Sequence, residues 1–271
     1  FRDVDINGKI IETVTYAVDP YANSVSVNGD KGYVLDINEK STKPIGFTNH
    51  PSPILSEKDD SIIYEMHIRD FTIDESSGVI NDLRGTYLGA VEENTIYKNP
   101  YNGKYVKTGI EHLCELGITH VHLMPIFDFG SVDERFPGSN NRNWGYDPKN
   151  FNVPEGSYCS NPYNPVTRIL ELRQMIMKFH ERGIRVVMDM VYNHMMSTVN
   201  MDNIVPGYYF RSDYLGRYTN GSGCGNELAS ERPMVRKFII DSCLHWIKDY
   251  KIDGIRFDLM ELLDIDTTKE I

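Results

Sequence analysis

Two short strings in this 271-residue chain place carboxylates and a guanidinium at the ends of apolar runs. Ile184 to Val191 is a continuous β-type run that carries Asp189 near its end, with Asn193 and His194 just behind it. In Gly254-Ile255-Arg256-Phe257-Asp258, a second such run, Arg256 and Asp258 fall on one face because strand side chains repeat every two residues. A carboxylate drawn out of water at a strand end needs a cation or donors, and Arg256 supplies one. An ionised carboxylate beside an arginine is what a covalent glycosidic nucleophile requires. A structural ion pair between strand ends would give the same pattern, so spacing alone leaves both readings open.

Other strings bear on chemistry less directly. Arg142-Asn143-Trp144-Gly145-Tyr146-Asp147-Pro148 sets two aromatics and a carboxylate on a tight turn. Flat rings suit the apolar faces of sugars, whereas the plainer alternative is a self-packed loop with Trp144 buried beneath it. His120 and His122 share a strand face without a third ligand nearby, which favours barrel-interior packing over a metal pair. The run Gly221 to Gly225 lacks the strand-before, helix-after setting of a dinucleotide loop and reads as an active-site loop. Asn220-Gly221-Ser222 is a formal glycosylation sequon.

These residues must be positioned by an alternation of strands and helices. Strand-like runs at Ser61–Ile68, Gly117–Met124, Ile184–Val191 and Gly254–Asp258 alternate with helix-like segments at Lys104–Leu116, Val166–Arg182 and Glu231–Tyr250. Connections into the strands are short, at Gly117, Gly183 and Gly254, whereas those leaving them are long. Long loops on one side only predict an α/β fold, the first half of a (β/α)₈ TIM barrel, with a doubly wound sheet as the alternative. Residues 1–58 read as extended, with β-type runs at Ile10-Ile11, Thr13–Thr15, Val25–Val27 and Tyr33–Leu35 between turn signals. The chain therefore divides into residues 1–45, a linker at 46–60, and barrel units over 61–271.

Composition sets outer bounds. A net charge of −11 argues against a nucleic-acid surface. No apolar run reaches the roughly 18 residues of a transmembrane segment. Four scattered cysteines without a C-x-x-C pair point to reduced thiols and mildly favour the cytoplasm, while export stays open because the chain does not begin with Met.

The ordered strings resemble a known family. Asp189 to His194 (DMVYNH) and Gly254 to Asp258 (GIRFD) are similar to the first two conserved motifs of the α-amylase superfamily. NWGYDP at Asn143–Pro148 resembles the marker of type I pullulanases, and Tyr64–Asp70, Asn152–Tyr163 and Gly221–Asp241 extend the likeness over nearly all of residues 15–267. The resemblance implies Asp258 as nucleophile, Arg256 orienting it, Asp189 supporting that arginine, and His194, Tyr146 and Asp147 shaping the first sugar subsite. Trp144 would add a binding surface there. It also implies a debranching hydrolase that acts with retention on α-1,6 links in pullulan or branched α-glucans, with a general acid and a third carboxylate lying beyond Ile271. Residues 1–45 would be the tail of a starch-binding-like β-sandwich, and the chain an excerpt of a longer enzyme.

The chemistry requires no cofactor. A structural Ca²⁺ is compatible with the superfamily but has no assigned ligands, Asn193 being the position to inspect. Isoamylase, glycogen-debranching and amylopullulanase activities are alternatives, as is a non-catalytic glucan-binding role. Two positions depart from the family pattern: Arg142 where an aromatic is common, and Glu261 where Gly is usual.

Overall fold

The computed structural model describes residues 2–4, 6–12, 14–136 and 142–271, so Thr13 of one expected β-run lies outside the described residues. Four strands form the central sheet: β1 (Ile63–Met66), β2 (His120–Leu123), β3 (Arg185–Met190) and β4 (Gly254–Phe257). All three pairings are parallel, and spatial order follows chain order. A doubly wound sheet would reverse direction at a switch point, whereas this one advances steadily, as the first half of a (β/α)₈ barrel does. The α/β half-barrel reading therefore holds and the doubly wound alternative does not.

Three helices cover the outer face: α1 (Gly109–Leu116), α2 (Pro165–Glu181) and α3 (Pro233–Tyr250). Both long helices begin on proline, whose fixed φ and missing N–H suit the first turn, and the Asn164 side chain accepts from Val166 N–H to cap α2. Ile110, Leu113, Ile169, Leu172, Ile176 and Trp246 are buried in one core with Val121, Leu123, Val186 and Met188. Each such side chain contributes roughly 1.5–3 kcal/mol of burial. Alternation along β2 sends Val121 and Leu123 into this core and turns His122 toward Glu65 and Asp189 on the flanking strands.

Three local expectations need correction. Among the described residues the N-terminal region contains one antiparallel pair, Arg2–Val4 with Ile10–Glu12. The runs at Val14-Thr15, Val25–Val27 and Tyr33–Leu35 are not strands; Val25 makes a single bridge to Gly32, and Val27–Gly29 is a 3₁₀ turn. Ser26 and Tyr33 N–H groups bond the carbonyls of Lys31 and Ser24 within a local turn, and backbone groups flanking these runs are met by side chains of the barrel. Asn200 bonds both Val18 N–H (2.7 Å) and its carbonyl (3.0 Å), and Arg173 of α2 donates to the carbonyls of Ile37 (3.2 Å) and Thr42 (2.8 Å). Secondly, the helix expected from Lys104 starts at Gly109, because Tyr105–Lys107 pairs with Ile96–Lys98. The third correction lies within the connection after β2, which contains a hairpin, Phe127–Phe129 against Pro148–Pro154.

A buried ion cluster fixes this hairpin. Arg168 of α2, with no exposed surface, donates to Glu134 (2.7 Å), to Asp128 (3.3 Å) and to the Pro154 carbonyl (3.2 Å). Phe129 and Ser157 N–H groups bond Glu155, Gly156 N–H bonds Glu134, and Asn150 donates to Asp128 (2.7 Å). Among the described residues Asp128, Glu134 and Glu155 are the one trio close enough to share an ion, and these donors already engage their oxygens. Burial, opposed by Arg168 and helped by the charge of Glu134, pushes Asp128 up to about 7, and burial drives Glu155 up as well.

Acids with raised folded-state pKa values bind more protons folded than unfolded, so their contribution to stability is present at low pH and lost on raising it. The stability of the intact protein should therefore carry a component that declines from the ordinary Asp value of 3.8 up to about 7. Denaturation midpoints across that range should show it, and Asp128→Asn should flatten the slope; an unaltered slope would rule out Asp128 as its source. Arg168→Met, which leaves Asp128 and Glu134 buried without their cation, should cost about 3–5 kcal/mol.

Candidate active site

The parallel pairing of β3 with β4 sets Arg256 directly opposite Asp189. Asp189 has no exposed surface, and the Arg256 guanidinium donates to both its oxygens, at 3.1 and 2.9 Å. The same nitrogen, Nη1, donates to Asp258 Oδ1 at 2.8 Å. Burial works against the arginine's charge, but hydrogen bonds to and attraction by Asp189 and Asp258 outweigh it and raise its pKa. From the turn after β3, Asn193 donates to the Asp258 carbonyl (2.9 Å) and to its Oδ2 (3.1 Å). Both oxygens of Asp258 are thus held by fixed donors, and its carboxylate is oriented rather than free to rotate.

The NWGYDP loop closes over this pair from the hairpin. Tyr146 donates its hydroxyl to Asp189 Oδ2 at 2.9 Å, and burial followed by the Asp189 charge raises its pKa. His194 faces the Tyr146 carbonyl through Nε2 (2.9 Å) and the Asn193 side-chain oxygen through Nδ1. Its pKa is lowered by burial. Asp147 points back into its own loop, accepting from Asn143 (2.9 Å) and from Ser131 N–H (2.8 Å). Gly145 sits at φ +90°, where an added Cβ would meet Pro125 at 2.8 Å and Phe129 at 3.0 Å, so the turn requires glycine. Trp144 is not buried beneath the loop: 58% of it is exposed, on a groove of 560 Å³ that Tyr146 and Arg142 also line.

Residues 104–205 match the model of the alpha-amylase catalytic domain. The chain is 47% identical to Bacillus subtilis pullulanase over 96% of its own length and 34% of that protein's. It is 36% identical to rice isoamylase 3, chloroplastic, over 94% of its length and 33% of that protein's. Its fold superposes with a TM-score of 0.88 on a Paenibacillus barengoltzii pullulanase solved with maltohexaose and α-cyclodextrin, at 49% identity, covering 94% of this chain and 38% of that one. In sequence and fold the chain is similar to α-amylase-family proteins, pullulanases among them. It spans about a third of the length of the curated relatives it matches.

Of the seven site positions proposed from the sequence, five meet in this cluster and two have other duties. Asp189, Arg256, Asp258, His194 and Tyr146 form one connected network, whereas Asp147 braces the loop and Trp144 faces solvent. Asn193 directs its side-chain oxygen at His194 and its amide at Asp258.

Two residues beneath the loop, His67 and Asp70, have no role assigned from the sequence, and His122 packs in the barrel interior as expected. His67 Nε2 faces the Asn143 carbonyl (2.8 Å) and the Tyr158 hydroxyl (3.0 Å), while its Nδ1 accepts from Asp70 N–H (3.2 Å). A donor on one side and an acceptor on the other define a neutral Nε2–H ring, and burial lowers its pKa accordingly. Asp70 bonds Arg142 (2.7 Å) and Arg69 (3.0 Å). His122 lies 3.5 Å from Asp189 and 3.6 Å from Glu65. Each falls in a legible string, but nothing in spacing reveals that residues 76 apart in sequence meet.

His67→Ala should leave the Asn143 carbonyl and Tyr158 hydroxyl short of a partner, a loss of about 1–2 kcal/mol in local stability. Amide exchange over residues 143–147 should accelerate on the order of tenfold relative to α2. Equal rates in variant and parent would show that the loop is held elsewhere.

Proposed function

We propose that the intact protein carrying this chain is a debranching glycoside hydrolase that cleaves α-1,6-glucosidic links in pullulan or branched α-glucans with net retention. The observation that carries the reading is the single guanidinium shared by Asp189 and Asp258 at the C-terminal ends of adjacent barrel strands, in a chain similar to pullulanases over almost all of its length. Barrel enzymes place their chemistry at that end.

Asp258 is the nucleophile in this scheme. A carboxylate held by Arg256 and Asn193 presents an oxygen to the anomeric carbon. The carbon–oxygen bond to Asp258 forms as the glycosidic bond breaks, and a carboxylic acid from the longer protein protonates the departing oxygen. Water then attacks the same carbon, surrenders its proton to that acid's conjugate base, and regenerates Asp258. Retaining enzymes set the two carboxyls about 5–5.5 Å apart, and this chain contributes the nucleophile's half. Tyr146 offers the sugar at this position its ring face, and His194, whose ring nitrogens face the Tyr146 carbonyl and the Asn193 side chain, positions that ring. The similarity to an isoamylase favours α-1,6 cleavage as the shared reaction and leaves the choice among branched glucans to the outer groove. The antiparallel pair at residues 2–12 supports reading the N-terminal segment as the end of a preceding β-module, although the later β-type runs up to residue 45 form no strands.

Asp258→Asn in the intact protein should lower kcat on pullulan by about 10⁴-fold or more while maltooligosaccharide binding persists. The first-formed reducing end should be the α-anomer by proton NMR before mutarotation. Near-parental turnover in the variant would remove Asp258 from the nucleophile's role, and a β-anomer would exclude the double displacement. Tyr146→Ala should reduce kcat/KM by on the order of 10- to 100-fold.

A further inference from the structure

The groove beside Tyr146 contains a cation that the reaction scheme does not use. Arg142 precedes the NWGYDP loop, is exposed, and lines the groove with Trp144, Tyr146 and Ser131. Its Nε is spent on Asp70 Oδ2 at 2.7 Å. Asp70 is itself fixed: Arg69 donates to its other oxygen at 3.0 Å and its own N–H donates to His67. Anchoring a guanidinium through Nε stops the plane from rotating and leaves Nη1 and Nη2 as a parallel pair of donors. Next to them 58% of Trp144 is exposed, an apolar ring face with no buried role. A stacking ring beside a rigid two-donor fork matches one glucose unit, which offers an apolar face and vicinal hydroxyls at its edge. Tyr146 lines this groove and donates its hydroxyl to Asp189, so one side chain adjoins both the groove and the reaction centre.

We propose that Arg142, positioned by Asp70, is a specificity-determining residue that binds vicinal hydroxyls of an outer glucose unit of the α-glucan, and so selects for longer branches. The inference rests on the glucan-hydrolase reading and names the substrate feature that this site selects. A lysine would offer one mobile ammonium in place of the fork and would not substitute. Asp70 acts through Arg142 and is a positioning residue.

The test compares substrates carrying maltosyl and maltotetraosyl branches on one α-1,6-linked core, using the intact protein and its Arg142→Ala, Arg142→Lys and Asp70→Asn variants. Loss of a charged donor pair should cut kcat/KM on the maltotetraosyl substrate about tenfold, mostly through KM, and on the maltosyl substrate about twofold. Arg142→Lys should resemble Arg142→Ala, and Asp70→Asn should fall between them and the parent. Equal losses on both branch lengths, no loss on either, or full recovery with lysine would each overturn the proposal.

Maltotetraose binding provides a second arm independent of turnover, followed by the part of the tryptophan fluorescence change that Trp144→Phe abolishes. Arg142→Ala should weaken it about tenfold, and unchanged affinity overturns the role of Arg142. If the parent releases no sugar from either substrate yet binds maltotetraose in an Arg142-dependent way, the hydrolase reading fails and the subsite stands.

Discussion

The site is organised by one buried charge, the Asp189 carboxylate. With no surface exposed it must be compensated in place, because an uncompensated carboxylate inside a protein costs far more than any neighbouring contact returns. Compensation comes from the opposing residue of the next strand, Arg256, and from the Tyr146 hydroxyl. The first partner is set by strand register: a shift of one residue between β3 and β4 would carry Arg256 to the other face. The second binds a long loop to the strand ends. Arg256 then has a donor directed at Asp258, so the orientation of the proposed nucleophile follows from the need to neutralise its neighbour.

The same constraint recurs one layer out. Arg168 draws Asp128 and Glu134 around it, and with Glu155 nearby the hairpin, the turn at residues 28–30 and helix α2 converge on one buried cluster. Asn28 N–H donates to Glu134, and Lys149 donates to the Asn28 carbonyl, so an N-terminal strap is fastened to the loop that bears Trp144 and Tyr146. A connection of this length would ordinarily wander. Here buried ionic anchors around Arg168, and His67 and Asp70 beneath Asn143 and Arg142, hold its described residues in place.

Much of this was readable from residue order. Amphipathic spacing marked α2 and α3, the apolar runs marked the four strands, and the two-residue repeat put Arg256 and Asp258 on one face. Where the reading failed, tertiary contacts had replaced local preference. Val25–Val27 and Tyr33–Leu35 have strand-forming residues but no partner strand, and the backbone bonds of this region run partly to Arg173 and Asn200. Tyr105–Lys107 joined a neighbouring strand instead of extending α1. Trp144, whose size suggests a core residue, lies on the surface because Gly145 turns the chain tightly against Pro125 and Phe129.

By itself the sequence determined the alternation of strand and helix, the side on which the long loops lie, and the residue types at the strand ends, since each depends on local periodicity and chain order. Tertiary structure alone decided which charges neutralise one another. Pairings such as Arg168 with Glu134, His67 with Asn143 and Arg142 with Asp70 join residues 34, 76 and 72 positions apart. No local pattern encodes such separations. They arise because folding brings buried or half-buried polar groups together, and each must find its partner among whatever the fold has placed within reach.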